Sequence, residues 1–213
     1  MSTIDFIRKA YIPQLSIVIR FNKLWGIITI NNISNKKRSI LVGIFILVAY
    51  GVLVSSITQS KILVMVADVI SGFAVIGIAV LMYPIFKMYK YQSLSYLLLK
   101  YVEGILMIIG GLLFLSSSLH HFRDLIYNNV HIYTFIAGGL IFYYLLYKTM
   151  AVPRFISIWG ATGIFALLVS TVLKLINVTY PLIDYLLILI ITNEIFLAGW
   201  LMIKGIKTSE KTK

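Results

Sequence analysis

The sequence contains no cysteine, few acidic residues and a small fraction of charged residues of either sign. Without cysteine in its 213 residues, the chain has no disulfide bond and no thiolate nucleophile. Charged residues make up 12% of the chain, whereas soluble domains contain about 25%. The composition therefore excludes a disulfide-stabilised domain and is not that of a typical soluble enzyme.

Motifs with a well-defined chemistry are also absent. There is no GxxxxGK[ST] phosphate-binding loop, no HExxH zinc motif and no GxSxG nucleophile motif. His120, His121 and His131 have a spacing that matches no known metal site. We therefore predict neither a metal nor a cofactor, and the sequence leaves open whether the protein is an enzyme.

Long apolar segments dominate the chain. Hydrophobic residues make up 60% of it, and its mean hydropathy is +0.96. About 20 apolar residues in a helix cross the roughly 30 Å hydrocarbon core of a bilayer. We predict an all-α polytopic membrane bundle with six transmembrane helices, at about 40–58, 62–85, 94–117, 130–149, 155–177 and 182–203.

Basic residues are distributed unequally between the two sides of these six spans. One side, which comprises the odd-numbered loops, has only Lys61, Arg123 and Lys174. By the positive-inside rule, both termini are expected to be cytoplasmic, in the cell membrane, which requires an even number of spans. The richer side comprises both tails and the even-numbered loops, with Arg8, Lys9, Arg20, Lys23, Lys36, Lys37, Arg38, Lys87, Lys90, Lys148, Arg154, Lys204, Lys207, Lys211 and Lys213.

This bias explains the net charge of +12, so we predict the lipid bilayer, and no nucleic acid, as the partner of the chain. The sequence does not define an oligomeric state. The predicted organisation is an interfacial segment at 1–39, a transmembrane domain at 40–206 and a basic tail at 207–213. Residues 1–39 are expected to lie on the membrane as an amphipathic segment. A seventh span at about 11–31 would place Arg20 and Lys23 in hydrocarbon, at about 2.5–3.5 kcal/mol each.

Two carboxylates are expected near the middle of the bilayer. Glu194 lies ten residues after Asp184 and ten before Lys204, which places it about 15 Å from each. Glu103 has a similar depth in the third span, and Lys100 lies one turn away on the same face. Ionisable residues at such depth are rare and usually face the interior of a helix bundle. The two acids could share a proton or hold a ligand.

Further polar residues complete the predicted pocket. Asn193 adjoins Glu194, while Asp68 and His131 are expected at the non-cytoplasmic mouth and Arg154 at the cytoplasmic end. The alternative interpretation is structural, because buried polar residues in membrane proteins often only join helices. The complete candidate set is Glu103, Glu194, Lys100, His131, Asp68, Asn193, Arg154 and Trp200.

The order and spacing of several stretches resemble a family of bacterial and archaeal multipass proteins, domain of unknown function 4386. The resemblance covers about residues 40–206 and includes Lys100 in place of a family arginine. It implies six or seven membrane spans and no established activity. It rests on "VADVISG" (66–72), "KYVEGILMIIGG" (100–111), "HIYTFIAGGLIFYYLLYKTMAVPRFISIWG" (131–160) and "NEIFLAGWLMIKG" (193–205), with Glu103, His131, Arg154, Gly160, Glu194 and Trp200 at matching positions.

Three functions remain open from the sequence. The first is binding or transport of a small molecule, ion or proton through an intramembrane polar pocket. The second is an accessory or structural subunit without a ligand. The third is an intramembrane enzyme that uses Glu103 and Glu194 as acid and base on a lipid-like substrate, which requires both carboxyl groups within reach of one reacting atom.

Overall fold

The structure, a computed structural model, describes residues 33–58, 60–116, 118–178 and 181–207. The described part contains helices and no strand, which confirms the all-α prediction. The proposed segment at 1–39 lies largely outside the described residues. The helices are α1 (Asn35–Ala49), continued by a 3-10 helix (Tyr50–Ser56), α2 (Lys61–Phe86), α3 (Lys90–Phe114), α4 (His120–Ile126), α5 (Ile132–Thr149), α6 (Arg154–Leu175) and α7 (Pro181–Ile203).

Six segments of the described chain are long and apolar enough to cross a membrane, so the chain is a multipass membrane protein. Their number agrees with the sequence prediction, and most of their ends agree within a few residues. The first span begins earlier than predicted, at Asn35. Spans one to six are Asn35–Ser56, Lys61–Phe86, Lys90–Phe114, His121–Thr149, Arg154–Leu175 and Tyr185–Ile203.

The fourth span is longer than predicted, because much of the expected loop at 116–129 is helical. Helix α4 covers His120–Ile126, and a π-helical turn over Tyr127–His131 joins it to α5. The candidate membrane span therefore runs through this turn, from His121 to Thr149. Arg123, assigned from the sequence to a loop, therefore lies within a membrane-spanning helix.

The six spans pack in a closed ring. Each span contacts the next one along the chain, and the first also packs against the sixth. Spans three and six therefore lie on opposite sides of the ring. Side chains from these two helices can face each other only across its centre.

The two ends of the ring differ in charge. We call the end formed by Asn35, the 87–89 loop, the 150–153 loop and Lys204 the basic end, and the opposite end the far end. At the basic end, the chain after span six packs back onto the ring. The backbone N–H of Ile206 donates to Ser39 Oγ at 2.8 Å, and that of Lys207 donates to the Ala151 carbonyl at 2.9 Å.

Glycines let spans two and three approach closely. A Cβ added at Gly104 would lie 2.6 Å from the Gly72 carbonyl oxygen, and one added at Gly72 would lie 2.5 Å from the Gly104 carbonyl oxygen. Small residues at such crossings are typical of helix packing in lipid, where the hydrophobic effect does not bring helices together.

Replacing Gly104 by alanine should destabilise the protein, because the new methyl group meets backbone atoms that cannot yield without moving a helix. We expect a loss of about 1–3 kcal/mol in the free energy of unfolding. Gly199→Ala is the matched control, since a Cβ there meets nothing within 4 Å. Thermal unfolding in detergent measures both variants, and equal midpoints would contradict the close crossing.

Candidate functional site

Span three places a buried ion pair inside the ring. Lys100 and Glu103 lie one helical turn apart, and they are 9% and 1% exposed. The Lys100 Nζ donates to both carboxylate oxygens of Glu103, at 3.1 and 2.8 Å. It also lies 5.0 Å from the centre of the Phe135 ring, on span four. Each charge is therefore neutralised by the other, and the ammonium is held against an aromatic face.

Span six contributes the second carboxylate, with a different partner. Glu194 Oε2 accepts a hydrogen bond of 2.8 Å from the Tyr50 hydroxyl. Tyr50 begins the 3-10 segment of span one, so this bond joins the first and last helices of the ring. A phenol donates a hydrogen bond but supplies no positive charge.

Both carboxylates line one cavity at the centre of the ring. Its volume is about 50 Å³, and Lys100 lines it as well. Glu194 is half-buried and lines this space. Glu194 lies within electrostatic range of both Lys100 and Glu103. The remaining lining residues come from spans one, two, three, four and six: Ile46, Ala49, Val75, Ile78, Tyr96, Phe135, Gly139, Phe142 and Leu197.

Aromatic side chains fill the ring between the cavity and the basic end. The rings of Phe86 and Tyr96 meet edge to face at 5.8 Å, and Tyr96 stacks on Phe142 at 5.3 Å. Tyr143 packs edge to face against Phe142 at 5.4 Å. All four side chains are buried, and Tyr96 and Phe142 also line the cavity. This aromatic cluster closes the ring toward the basic end.

A larger pocket opens at the far end, between spans four, five and six. Its volume is about 650 Å³, and its wall includes His131, Ser170, Thr171 and Lys174. The Nε2 atom of His131 is buried and has no hydrogen-bond partner among the described residues. His131 is also within electrostatic range of Glu103. It therefore lies between the far-end pocket and the central ion pair.

Asp68 has a structural partner that the sequence did not indicate. Arg123 donates from Nε to Asp68 Oδ2 at 2.8 Å and from Nη2 to Oδ1 at 3.2 Å. Both side chains are buried, and the guanidinium lies over the rings of Phe114 and Tyr127 at 5.2 and 4.5 Å. This two-pronged pair joins span two to span four. Asp68 lines neither the cavity nor the far-end pocket.

Two adjacent glycines make room for this pair. A Cβ at Gly111 would lie 2.8 Å from Asp68 Cβ, and one at Gly110 would lie 2.6 Å from the Tyr127 ring. The signal that could have identified Arg123 is its place in "HHFRDLIY", where apolar residues recur at helical spacing. Tyr50, the partner of Glu194, had no such signal within its apolar segment.

The other three candidate residues lie away from the cavity lining. Asn193 is buried and donates from Nδ2 to the Ile156 carbonyl at 3.0 Å, which joins spans six and five. Arg154 is at the basic end, with its guanidinium 5.3 Å from the centre of the Tyr147 ring. Trp200 stacks on Phe196, with the ring centres 6.4 Å apart. The structure thus brings together Glu103, Glu194 and Lys100, places His131 nearby, and separates the other four.

Comparison with known proteins gives one match. Residues 114–205 match the family model described as Domain of unknown function (DUF4386), which confirms the resemblance over that part of the chain. His131, Arg154, Glu194 and Trp200 lie within the match, whereas Glu103 lies before it. No curated protein and no solved structure matches the chain.

Removing one partner of the buried pair between Asp68 and Arg123 should be strongly destabilising. In Asp68→Asn, the guanidinium remains buried without its counter-ion, and we expect a loss of about 3–5 kcal/mol in the free energy of unfolding. Unfolding of the purified protein by denaturing detergent measures this change.

Asp124→Asn is the matched control. Asp124 Oδ1 lies 3.7 Å from Arg123 Nη1, but the Asp124 side chain is 66% exposed, so we expect a loss below about 1 kcal/mol. Equal losses in the two variants would show that burial does not distinguish these two contacts of Arg123.

Proposed function

We propose that this membrane protein binds a proton or a small monovalent cation at Glu194, in the central cavity, and moves it across the membrane. The access route runs from the far end past His131, and the far end faces away from the cytoplasm. This proposal develops the first of the three functions left open by the sequence. It rests on the charges, the size and the surroundings of the cavity.

The charge balance of the cavity carries the proposal. Its lining includes one lysine and two carboxylic acids: Lys100, Glu103 and Glu194. Lys100 donates to both oxygens of Glu103, while Glu194 is bonded to a neutral phenol. With both acids ionised, the group has one uncompensated negative charge. An unpaired charge at this depth costs several kcal/mol, so one added proton or cation is the ligand that this site favours.

The size of the cavity limits what can occupy it. A water molecule needs about 10–15 Å³ of such space, so 50 Å³ corresponds to about three to five waters. A proton shared with water, or a small dehydrated cation, fits within this volume. A lipid-like substrate does not, and the enzyme hypothesis therefore receives no support from the dimensions of the site.

The surroundings of the cavity favour access from one end. The aromatic cluster of Phe86, Tyr96, Phe142 and Tyr143 separates the cavity from the basic end. On the other side, the far-end pocket reaches His131, which is within electrostatic range of Glu103. A neutral imidazole has one N–H donor and one acceptor nitrogen, so a histidine at this place suits hydrogen-bonded transfer between pocket and cavity. Transport would then require the aromatic cluster to open.

The alternative of a structural subunit also has a specific observation in its favour. The ion pairs of Lys100 with Glu103 and of Asp68 with Arg123 are both satisfied within the chain. Such pairs can serve only to hold helices in place. Glu194 distinguishes transport from a purely structural role. Its bond to Tyr50 leaves the carboxylate charge unbalanced, and an unbalanced charge does not stabilise helix packing.

Glu194→Gln should abolish ion movement while the fold is kept, because the amide retains the shape and the bond to Tyr50 but cannot ionise. Full-length protein is reconstituted into vesicles that contain a pH-sensitive dye, and proton entry is driven by a valinomycin-imposed potential. Parallel vesicles with a sodium-sensitive dye test the cation. We expect flux through the native protein and the flux of protein-free vesicles for the variant.

Asp124→Asn is the matched control, because it removes an exposed acid that does not line the cavity. It should leave the flux unchanged. No proton or sodium flux through the native protein would contradict transport, and unchanged flux in Glu194→Gln would remove Glu194 from the mechanism. Unfolding midpoints of both variants establish that any loss of flux is not a loss of fold.

A further inference from the structure

A third concave surface lies outside the ring, between spans four and five near the basic end. It is a groove of about 440 Å³, which is within the range of about 300–1,000 Å³ for sites that hold organic ligands. Leu140, Tyr144, Ile158 and Phe165 line it, and they are 39%, 43%, 55% and 61% exposed. The groove is therefore part of the surface of the ring, where hydrocarbon surrounds it.

The groove has the length and the lining of an acyl-chain site. Its walls run along residues 140–147 of span four and 157–165 of span five. At 1.5 Å per residue, these stretches are about 10–12 Å long. Ala161 and Thr162 provide small side chains in one wall, between the larger aromatic residues. A flexible apolar chain therefore fits this shallow groove in length and in lining.

Two cations stand at the basic end of the groove. Lys148 Nζ lies 5.7 Å from the centre of the Tyr144 ring, and the Arg154 guanidinium lies 5.3 Å from that of Tyr147. Both tyrosines line the groove, so the cation–π contacts hold the two charges at its entrance. No carboxylate of the described chain forms an ion pair with either residue. The entrance therefore has two positive charges that no carboxylate of residues 33–58, 60–116, 118–178 or 181–207 pairs with.

We propose that this groove binds an anionic glycerophospholipid from the leaflet at the basic end. The lipid phosphate lies between Lys148 and Arg154, and one acyl chain lies along the groove. Arginine and lysine are the usual ligands of phosphate, and basic sites between membrane helices recognise anionic headgroups. A zwitterionic lipid has a positive charge in its headgroup beside the phosphate. It therefore balances the positive charges of Lys148 and Arg154 less well than an anionic lipid does. This site is independent of the central cavity and of the function proposed for it.

Native mass spectrometry of the full-length protein in detergent, with equal amounts of dioleoylphosphatidylglycerol and dioleoylphosphatidylcholine, tests the proposal. Two basic side chains predict a preference for the anionic lipid of about thirtyfold. Lys148→Gln with Arg154→Gln should bring this ratio close to one. Lys174→Gln, which changes a cation at the far end, should leave it unchanged. Equal binding of the two lipids by the native protein, or an unchanged ratio in the double variant, would overturn the site.

A second variant tests the acyl chain separately from the charges. Ala161→Phe fills the groove and leaves both cations in place, so binding of the anionic lipid should be lost while the unfolding midpoint is kept. Glycerol 3-phosphate and inorganic phosphate, which have the anionic group without a chain, should not displace the lipid. Displacement by either compound, or retention of the lipid by Ala161→Phe, would contradict a lipid held in the groove.

Discussion

Charge balance within the hydrocarbon layer is the constraint on which the rest of this structure depends. An ion there must be paired or must take up a proton, because water does not solvate it. Asp68 is neutralised by the two-pronged bond from Arg123, and Glu103 by the ammonium of Lys100. Glu194 has instead a phenolic hydroxyl, that of Tyr50. This difference separates Glu194 from the two acids whose charge is balanced by an arginine or a lysine.

The ring arrangement turns this local difference into a site. Spans three and six are on opposite sides of the ring, so their carboxylates meet across a small space and not along a tight helix crossing. Glycine crossings, such as that of Gly72 with Gly104, bring neighbouring helices together around that space. Aromatic rings occupy the basic end, and a wider polar pocket occupies the far end. The surroundings of the central cavity therefore differ between its two ends.

The sequence predicted the parts of this structure that depend on hydrophobicity and on helix length. The six spans follow from the apolar blocks. Glu103 and Glu194, which the sequence places at a similar depth from their distances to the span ends, line one cavity. Arg123 was assigned to a loop, because polar residues adjoin it and the helical spacing of Phe122, Leu125 and Ile126 covers only one turn. Its bond with Asp68, and that of Tyr50 with Glu194, join residues 55 and 144 positions apart. Such pairs depend on the order of helices in the ring, which the hydropathy pattern of one chain does not contain. Asn193 also shows that the hydropathy pattern does not predict contacts between helices. Its neighbour Glu194 lines the cavity, whereas the Asn193 amide donates to the Ile156 carbonyl of span five.

The most direct test of the charge-balance account is infrared difference spectroscopy on the reconstituted protein, recorded between two pH values and with or without sodium. A proton or cation that binds Glu194 changes the carboxyl stretching bands of the protein. We expect a difference band in the native protein and in Asp124→Asn that is absent in Glu194→Gln. The same band in Glu194→Gln as in the native protein would show that Glu194 is not the binding group, and would contradict the account.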